Sequence, residues 1–412
     1  MPLEIRGNGL YSININSAGS IHLSYEMRLA RALDPSQYAL VSSLGPDAGA
    51  FMMGDLLPHI CLDDENCRVA QNIARLRIEP PVGWRIATTE QRQGEGFHLE
   101  DPSRAVFFLG PLRERTAKIG EMNLRVAIVG DWFFQDPEVF SLAESIARDQ
   151  AKLIGSNERG EFLVTLAPFP QPLTGLRSSA VTIGHTVILL LNPNNDTRQS
   201  FNHYCRHLAH EMFHFYLPNA FHIRENFDWF WEGFTRYIAL MTLARLRLIG
   251  LPEYLDAINA EYEAYIFNPS RTQMSLIAAS PEKFANAANY DLIYRKGMLV
   301  AALYDLELRW QSHNRLSLAD VIRRLYQKYA LTGREVGNQE VLREIESVGD
   351  FAWLIRSDIA GVQQINLAER VKIYGLVMNQ NPATPGRRQL RQITKLSSRQ
   401  WNLISNMADN GH

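Results

Sequence analysis

The sequence lacks a hydrophobic run long enough to cross a membrane, which would need roughly 20 consecutive apolar residues in a helix. The longest candidate, residues 180–191, is interrupted by Thr182, His185 and Thr186, and we expect it to form a buried strand. The first residues, MPLEIRGNGLYSININ, also lack the basic segment followed by an apolar one that is typical of a signal peptide. We therefore predict a cytoplasmic protein, or a periplasmic or extracellular one if a signal peptide was removed.

A surplus of one charge is missing as well, since 42 Lys and Arg residues stand against 44 Asp and Glu. Nucleic-acid-binding domains carry a basic surplus, so we predict no nucleic-acid partner. Cysteine is rare, and Cys61, Cys67 and Cys205 are too few for a disulfide framework. Cys61 and Cys67 could pair in an exported protein, whereas we expect reduced thiols in the cytoplasm.

With 412 residues and 46% hydrophobic side chains, the chain is long enough for more than one domain. Residues 1–130 contain short strand-like runs separated by Gly, Pro, Asp and Asn, and the clearest run, 21–29, alternates apolar and polar residues. We predict an N-terminal β-sandwich or saddle domain there. Residues 381–412 are a basic, proline-interrupted tail that we expect to be loosely packed.

The pattern of apolar and polar residues changes in residues 131–380. We predict a second domain there, whose later half, from about residue 240, is helical. Apolar residues at helical spacing predict an amphipathic helix over residues 139–155. Residues 162–167 and 181–191 favour strands, and most later segments favour helices. The predicted fold class of the whole chain is therefore α+β.

Residues 210–214 read His-Glu-Met-Phe-His, in a segment that favours a helix and that Pro218 ends. Two histidines four residues apart lie on one face of a helix, close enough to share a metal ion. Glu211 cannot reach that ion as a ligand, but it can hold a water beside it and take the proton of that water. We predict His210 and His214 as zinc ligands and Glu211 as the general base.

Two other histidines, His203 and His207, lie on the same predicted helix face and are an alternative metal-binding pair. They lack a neighbouring carboxylate like Glu211, so we rank this pair lower. A buried helix with structural histidines would also produce the observed spacing, without any metal.

A third ligand is expected, because catalytic zinc takes three protein ligands and keeps one position open. In residues 228–246, DWFWEGFTRYIALMTLARL, Glu232 stands in an otherwise apolar and aromatic run. Its burial would be costly without a metal or an ionic partner. The alternative is a partly exposed glutamate near a helix start, where the helix dipole favours it. We predict Glu232 as the third ligand of one zinc ion per chain.

The HExxH segment followed by W-x-x-E-G-x-T-x-Y resembles the gluzincin zinc metallopeptidases, and more narrowly the glycyl aminopeptidase family. A later segment, residues 289–310, resembles the Y-x-K-G stretch of that family. The resemblance implies a thermolysin-like zinc peptidase domain and a peptide substrate, and it implies that Tyr294 donates a hydrogen bond to the oxyanion. The residues that match these two motifs are Trp229, Glu232, Gly233, Thr235, Tyr237, Tyr294, Lys296 and Gly297.

The chemistry of amide hydrolysis is consistent with Tyr294 as a donor, because the tetrahedral intermediate needs hydrogen-bond donors in addition to zinc. A phenol on a facing helix can be such a donor. Tyr290, one turn earlier, is an alternative donor, and an ordinary core tyrosine is the structural alternative.

The sequence departs from the related families at two basic positions. Arg177 stands where a glutamate would bind the free amine of the substrate, and an arginine there would attract a carboxylate instead. Arg236, one turn after Glu232, replaces an aspartate that orients a zinc histidine in several gluzincins. Many family members also carry a C-terminal PDZ domain, for which residues 377–412 are too few.

These observations together predict a zinc-dependent peptide hydrolase that uses metal-activated water. The resemblance implies an aminopeptidase-like activity, and Arg177 indicates that recognition of the substrate is altered. One alternative is a non-catalytic zinc-fold protein that binds peptides or a partner. A second is a zinc hydrolase that acts on a non-peptide bond, since activated water attacks many electrophiles.

Overall fold

The structure is a computed structural model that describes residues 4–7, 10–12, 22–27, 29, 42–58, 74–156, 158–169, 178–192, 197–380 and 388–407. The chain separates into two compact units, Met1–Ala30 and Arg31–His412. The predicted boundaries at residues 130 and 380 stay predictions.

The first unit contains an antiparallel hairpin of β1 (Glu4–Gly7) and β2 (Leu10–Ser12). The strand predicted over residues 21–29 is wrong for residues 22–27, which pair with no strand in the described part of the chain and are exposed. Alternation of apolar and polar residues did not suffice, because a strand also needs a neighbour for its backbone hydrogen bonds.

The second unit begins with two small antiparallel sheets and a short helix, α1 (Met53–Leu56). One sheet has the strand order β3-β4-β9-β6 and the other has the order β5-β8-β7. The prediction of an N-terminal β region is confirmed. The strands are β3 (Ser43–Leu44), β4 (Gly49–Met52), β5 (Ala74–Leu76), β6 (Arg85–Ala87), β7 (Gln91–Gln93), β8 (Gly96–Leu99) and β9 (Val106–Gly110).

Strand β9 is buried on both faces, and its alternate side chains enter two different cores. Phe107 and Leu109 pack within the small sheets, whereas Val106 and Phe108 pack against the next sheet of the chain. Strand β9 thereby packs the N-terminal strands against the next sheet of the chain.

That next sheet has five strands in the order β10-β11-β12-β14-β13. Strands β11, β12 and β14 run parallel, and β10 and β13 are antiparallel to their neighbours. All six residues of β14 are buried, as expected for an inner strand covered on both faces. The strands are β10 (Arg113–Ile119), β11 (Met122–Ile128), β12 (Gly160–Pro168), β13 (Ser178–Ile183) and β14 (Thr186–Leu191).

The strand predicted at residues 162–167 is confirmed within β12, but the single strand predicted over residues 180–191 is wrong. The chain reverses there and forms the hairpin β13–β14. Gly184 adopts a φ of 56°, a left-handed conformation that glycine takes without steric cost, and this permits the tight turn. Strand β13 therefore lies at an edge of the sheet.

Helix α2 (Asp136–Ile154) joins β11 to β12 and confirms the predicted amphipathic helix. Glu138 closes a capping box with Gln135, and Pro137 lies in the first turn, where its missing N–H costs nothing. Gly155, at a φ of 67°, ends the helix.

The rest of the chain is largely helical, so the predicted helical second half is confirmed. Two short ladders interrupt it: β15 (His222–Ile223) pairs with β16 (Glu335–Val336), and β17 (Leu376–Gln380) pairs with β18 (Arg388–Gln392). The helices are α3 (Thr197–Phe213), α4 (Asp228–Trp231), α5 (Gly233–Arg245), α6 (Leu251–Ile266), α7 (Leu276–Ala279), α8 (Ala287–Ser312), α9 (Leu318–Leu325), α10 (Asn338–Glu346), α11 (Ala352–Leu354), α12 (Leu367–Arg370) and α13 (Ser398–Ser405).

The expectation of a loosely packed end is wrong for residues 388–407. Leu390, Leu403 and Met407 are buried, because β18 and α13 pack on the helical core. Among the helices that the structure describes, none combines the length and the apolar character needed to cross a bilayer.

Helices α5 and α8 cross at two glycines. A Cβ atom on Gly233 would lie 2.5 Å from the Cα atom of Gly297, and one on Gly297 would lie 2.8 Å from that of Gly233. Both distances are too short for any side chain, so glycine is required at each position. This contact places the start of α5 directly against α8.

Candidate metal centre

The HExxH segment forms the end of α3, as predicted. His210 and Glu211 lie in its last turn, and His214 follows in a continuing turn whose backbone N–H donates to the Glu211 carbonyl over 3.1 Å. Both histidine side chains are mostly buried between α3 and the segment that carries Glu232.

Three ligand atoms meet at this point. His210 Nε2 lies 3.1 Å from His214 Nε2, and Glu232 Oε2 lies 3.2 Å from the first nitrogen and 3.4 Å from the second. Tetrahedral zinc with bonds of about 2.0–2.1 Å separates its ligand atoms by about 3.3 Å. The three atoms therefore have the spacing that a zinc ion requires, and the donor set of two imidazoles and one carboxylate is one that catalytic zinc uses.

The orientation of His214 also suits a metal. Its Nδ1 donates to the backbone carbonyl of Leu217 over 2.7 Å, which leaves the Nε2 lone pair for the ion. The Leu217 carbonyl therefore fixes the orientation of the His214 ring.

Glu232 lies at the junction of α4 and α5, and a lysine binds its other oxygen. Lys283 Nζ is 2.7 Å from Glu232 Oε1 and 3.2 Å from Asp228 Oδ2, and all three side chains are largely buried. Burial raises the pKa of Glu232, but Lys283 and the hydrogen bonds with His210 and His214 outweigh burial and hold that pKa well below its usual range. Glu232 therefore meets a metal as a carboxylate.

The same balance keeps the lysine charged. Burial lowers the pKa of Lys283, but the carboxylates of Glu232 and Asp228 raise it further, and the net pKa lies above the usual value. The buried ion pair is thus ionised on both sides. Lys283 was not predicted from the sequence, since it lies between α7 and α8 and has no periodic relation to the motifs.

Glu211 is held beside the three ligand atoms by the edge strand. Thr182 Oγ1 on β13 lies 2.8 Å from Glu211 Oε2 and also 2.8 Å from the Glu211 carbonyl. Glu211, His210 and His214 each offer a ligand atom, and these atoms lie within 4.8 Å of one another. Glu232 supplies the closer oxygen, so Glu211 is better placed to hold a water than to bind the metal itself.

Two tyrosines of α8 complete this side of the centre. The Tyr294 ring lies 6.2 Å from the His210 ring and 4.6 Å from the Tyr290 ring, measured between centroids. Burial, with the nearby charge of Glu232, raises the pKa of Tyr294 well above its usual value. Its phenol is therefore neutral and keeps its proton. Tyr294 is the tyrosine in ring contact with a predicted metal ligand.

The alternative pair, His203 and His207, is engaged elsewhere. Ser178 Oγ on β13 lies 2.7 Å from His203 Nε2 and 3.0 Å from His207 Nδ1. Within the described ranges, the cluster of His, Asp and Glu side chains close enough to hold a metal ion contains His210, Glu211 and His214, and it does not contain His203 or His207. Burial, together with nearby arginines, lowers the pKa of His203 to about 4.

Other residues of the two motifs build the helices and lie away from the ligand atoms. Trp229 Nε1 donates to Asn338 Oδ1 over 2.7 Å, and the Tyr237 hydroxyl donates to Asp305 Oδ2 over 2.9 Å. Lys296 Nζ donates to the carbonyl of residue 361. Their part in the motif is therefore to fix α4, α5 and α8.

Arg177, Cys61 and Cys67 lie outside the described residues. Cys205 is a free, buried thiol, and burial raises its pKa to about 12. Arg236 lies close to the metal centre, where it shares the carboxylate of Glu261 with two other arginines.

Residues 204–300 match the model of the M61 glycyl aminopeptidase family. This range contains all the predicted ligands, Glu211 and Tyr294. The resemblance that the motifs indicated is confirmed. No curated protein sequence matches the chain.

Solved structures confirm the fold. An aminopeptidase N family protein from Idiomarina loihiensis superposes with a TM-score of 0.72 at 16% identity, over 87% of this chain and 66% of that protein. An M1 zinc metallopeptidase from Deinococcus radiodurans gives a TM-score of 0.55 at 16% identity, over 82% of this chain and 75% of that one. A mutant of the Deinococcus protein with a bound Tyr-Ser-Ala substrate matches equally well, at 15% identity. The chain thus spans just under two thirds of the Idiomarina protein.

Proposed function

We propose that the protein is a zinc-dependent peptide hydrolase with a thermolysin-like catalytic domain. One zinc ion per chain would be held by His210, His214 and Glu232. The observation that carries this proposal is the triangle of ligand atoms, 3.1–3.4 Å on each side, with Glu211 beside it. The peptide bound to the Deinococcus mutant supports a peptide as the substrate class.

Bound zinc would supply a Lewis acid that polarises the scissile carbonyl and lowers the pKa of a water molecule. Glu211 takes the proton of the attacking water and passes it to the leaving amine. The hydrogen bond from Thr182 fixes the direction of the Glu211 carboxylate. Tyr294, with its neutral phenol, donates a hydrogen bond to the oxygen that becomes negative in the transition state.

The substrate would lie along β13. This strand pairs with β14 on one side only in the described sheet, and its Thr182 already contacts Glu211. An extended peptide can add to such an edge through backbone hydrogen bonds. The edge strand would thereby bring the scissile bond and the general base to the same place.

The proposal is tested by metal analysis and by digestion of a peptide library with and without a chelator. We expect one zinc per chain and cleavage that the chelator abolishes and added zinc restores. Glu232→Ala should lose most of the zinc, because it removes a ligand and leaves the charge of Lys283 without its nearest partner. Glu144→Ala, a change at a surface ion pair, is the control and should keep full zinc.

Zinc content of Glu232→Ala equal to that of the control would remove Glu232 from the ligand set. A zinc-loaded wild-type protein that cleaves no peptide of the library would contradict the proposed activity.

A further inference from the structure

Each of the three helices α3, α5 and α8 carries an arginine close to a predicted metal ligand or to Tyr294. Arg206 lies one turn before His210 on α3, Arg236 lies one turn after the Glu232 position on α5, and Arg295 directly follows Tyr294 on α8. The guanidinium carbon of Arg236 is 6.0 Å from the centre of the Tyr294 ring. These three arginines, called the arginine cluster below, therefore lie close in sequence to the predicted metal ligands and Tyr294, and Arg236 also lies close to Tyr294 in space.

One carboxylate, that of Glu261, forms an ion pair with each of the three arginines of the cluster. Glu261 on α6 lies 2.6 Å from Arg236, 3.1 Å from Arg295 and 3.3 Å from Arg206. The Glu261 side chain is only 4% exposed, whereas the three arginine side chains are 28–31% exposed. The Glu261 carboxylate is thus buried, and the arginine side chains around it are partly exposed.

The cluster carries more positive charge than its surroundings neutralise. Three guanidinium groups face Glu261, and the further carboxylate in contact, Asp291, is 3.4 Å from Arg295 and half exposed. The metal centre does not supply the missing negative charge, because zinc and Lys283 together balance the carboxylates of Glu211, Glu232 and Asp228. At least one positive charge remains in surplus beside the catalytic groups.

The positive charge of the cluster affects the pKa of two neighbouring histidines. His203 and His207 are partly buried near Arg206 and Arg236. Burial is the main cause that lowers the pKa of both histidines, and the charges of these arginines lower it further. They are therefore neutral at physiological pH and leave the cluster as the source of positive potential.

We propose that the arginine cluster binds a carboxylate of the peptide substrate. The inference rests on the proposed function, since it names the substrate class of the same cleft. A guanidinium has five N–H donors, and Glu261 occupies only one or two on each arginine, so donors remain for a second carboxylate. Guanidinium and carboxylate groups form paired, charge-assisted hydrogen bonds. The ammonium group of a substrate would be repelled at the same place.

Two sources of carboxylate fit this chemistry, an Asp or Glu side chain and the C-terminus of the peptide. The test therefore uses alanine-based hexapeptides with a fluorescent label. In one series a single Glu is moved through the sequence and compared with Gln at the same position. In the other series a free C-terminus is compared with its amide.

Binding is measured on zinc-loaded full-length Glu211→Gln protein, so that no peptide is cleaved. We expect one member of one series to bind about tenfold or more tightly than its neutral partner, the gain typical of a charge-assisted hydrogen bond. Adding Arg236→Gln should abolish most of this preference. Arg236→Lys should recover only part of it, because lysine keeps the charge but not the planar fork.

Arg323→Gln is the matched control. Arg323 is 32% exposed and pairs with Asp320 over 2.9 Å, but it lies on α9, outside the metal centre. It should leave the preference for the carboxylate unchanged. Thermal unfolding of each variant identifies any loss that is due to unfolding.

Equal binding of charged and neutral peptides in every position would overturn the proposal, and so would a preference that persists in Arg236→Gln. Failure of the proposed function has a different signature. In that case the wild-type protein with zinc would leave all the peptides intact, whatever the binding preference measured for Glu211→Gln.

Discussion

The metal centre and the arginine cluster lie side by side on the same three helices, but their charges are arranged in opposite ways. In the metal centre the buried Lys283 pairs with the carboxylates of Glu232 and Asp228, and all three side chains are largely buried. In the arginine cluster one buried carboxylate serves three partly exposed cations. A balanced site suits a fixed chemical step, and an unbalanced one suits a charged ligand that arrives from outside. The comparison suggests that chemistry and recognition can be changed separately.

The strongest test of that separation is Glu211→Gln. We expect hydrolysis to fall by about 10²–10⁴-fold or more, because the amide cannot take the proton of the attacking water. Zinc content should stay at one per chain, since Glu211 is not a ligand, and the cluster should keep its preference for acidic peptides. The measurements are kcat/KM, metal analysis and peptide binding. Substantial turnover by this variant would exclude Glu211 as the base.

Tyr294→Phe should have the next largest effect, a fall in kcat of about 10²–10³-fold, as expected when one donor to the oxyanion is lost. KM should change little. Tyr290→Phe is the matched control on the same helix and should cost less, because Tyr294 is the ring that contacts His210. The reverse order of the two variants would assign the donor role to Tyr290.

Lys283→Met tests whether the metal centre depends on its charge balance. The side chain keeps its approximate length but loses the ion pair with Glu232, so we expect zinc affinity to fall by about 10–100-fold, as for other residues that support metal ligands. Competition with a chelating dye measures the affinity. The control is Lys328→Met, which removes a half-exposed lysine paired with Glu344 and should leave the zinc affinity unchanged. Wild-type affinity in Lys283→Met would show that zinc alone fixes Glu232.

The smallest effect is expected for Thr182→Val, which keeps the shape of the side chain and removes its hydroxyl. Glu211 loses one positioning hydrogen bond, so kcat should fall about tenfold, with zinc content and the carboxylate preference intact. Thr165→Val, on the inner strand β12 of the same sheet, removes a hydroxyl that donates to the Val187 carbonyl and is the control. A loss of zinc in Thr182→Val would show that the threonine hydroxyl supports metal binding, and would contradict a role limited to positioning Glu211.

Much of the candidate site could be predicted because its spacing follows helix geometry. His210 and His214 lie on one helix face with Glu211 beside them, and Glu232 was conspicuous as an acidic residue in an apolar run. The ligand atoms of His210, His214 and Glu232 lie within 3.4 Å of one another, as a shared metal ion would require. The helical second half followed from the same periodicity.

The residues that periodicity could not indicate come from other parts of the fold. Lys283 lies in a short connection, and Thr182 comes from an edge strand that the sequence presented as part of one continuous run. The turn at Gly184 created that edge, and a single glycine in an apolar segment is a weak signal for a turn. The arginine cluster was missed because its members are close only after three helices and α6 have packed.

The contact between Gly233 and Gly297 has a consequence for redesign of the enzyme. Because the two backbones meet there without intervening side chains, this contact fixes the offset between the start of α5, next to Glu232, and the part of α8 that carries Tyr294. Mutations elsewhere in the helical core can therefore alter stability while this offset is preserved. Attempts to give the protein a new specificity have more freedom at the walls of the cleft, on β13 and at the arginine cluster, than along the line where α5 and α8 touch.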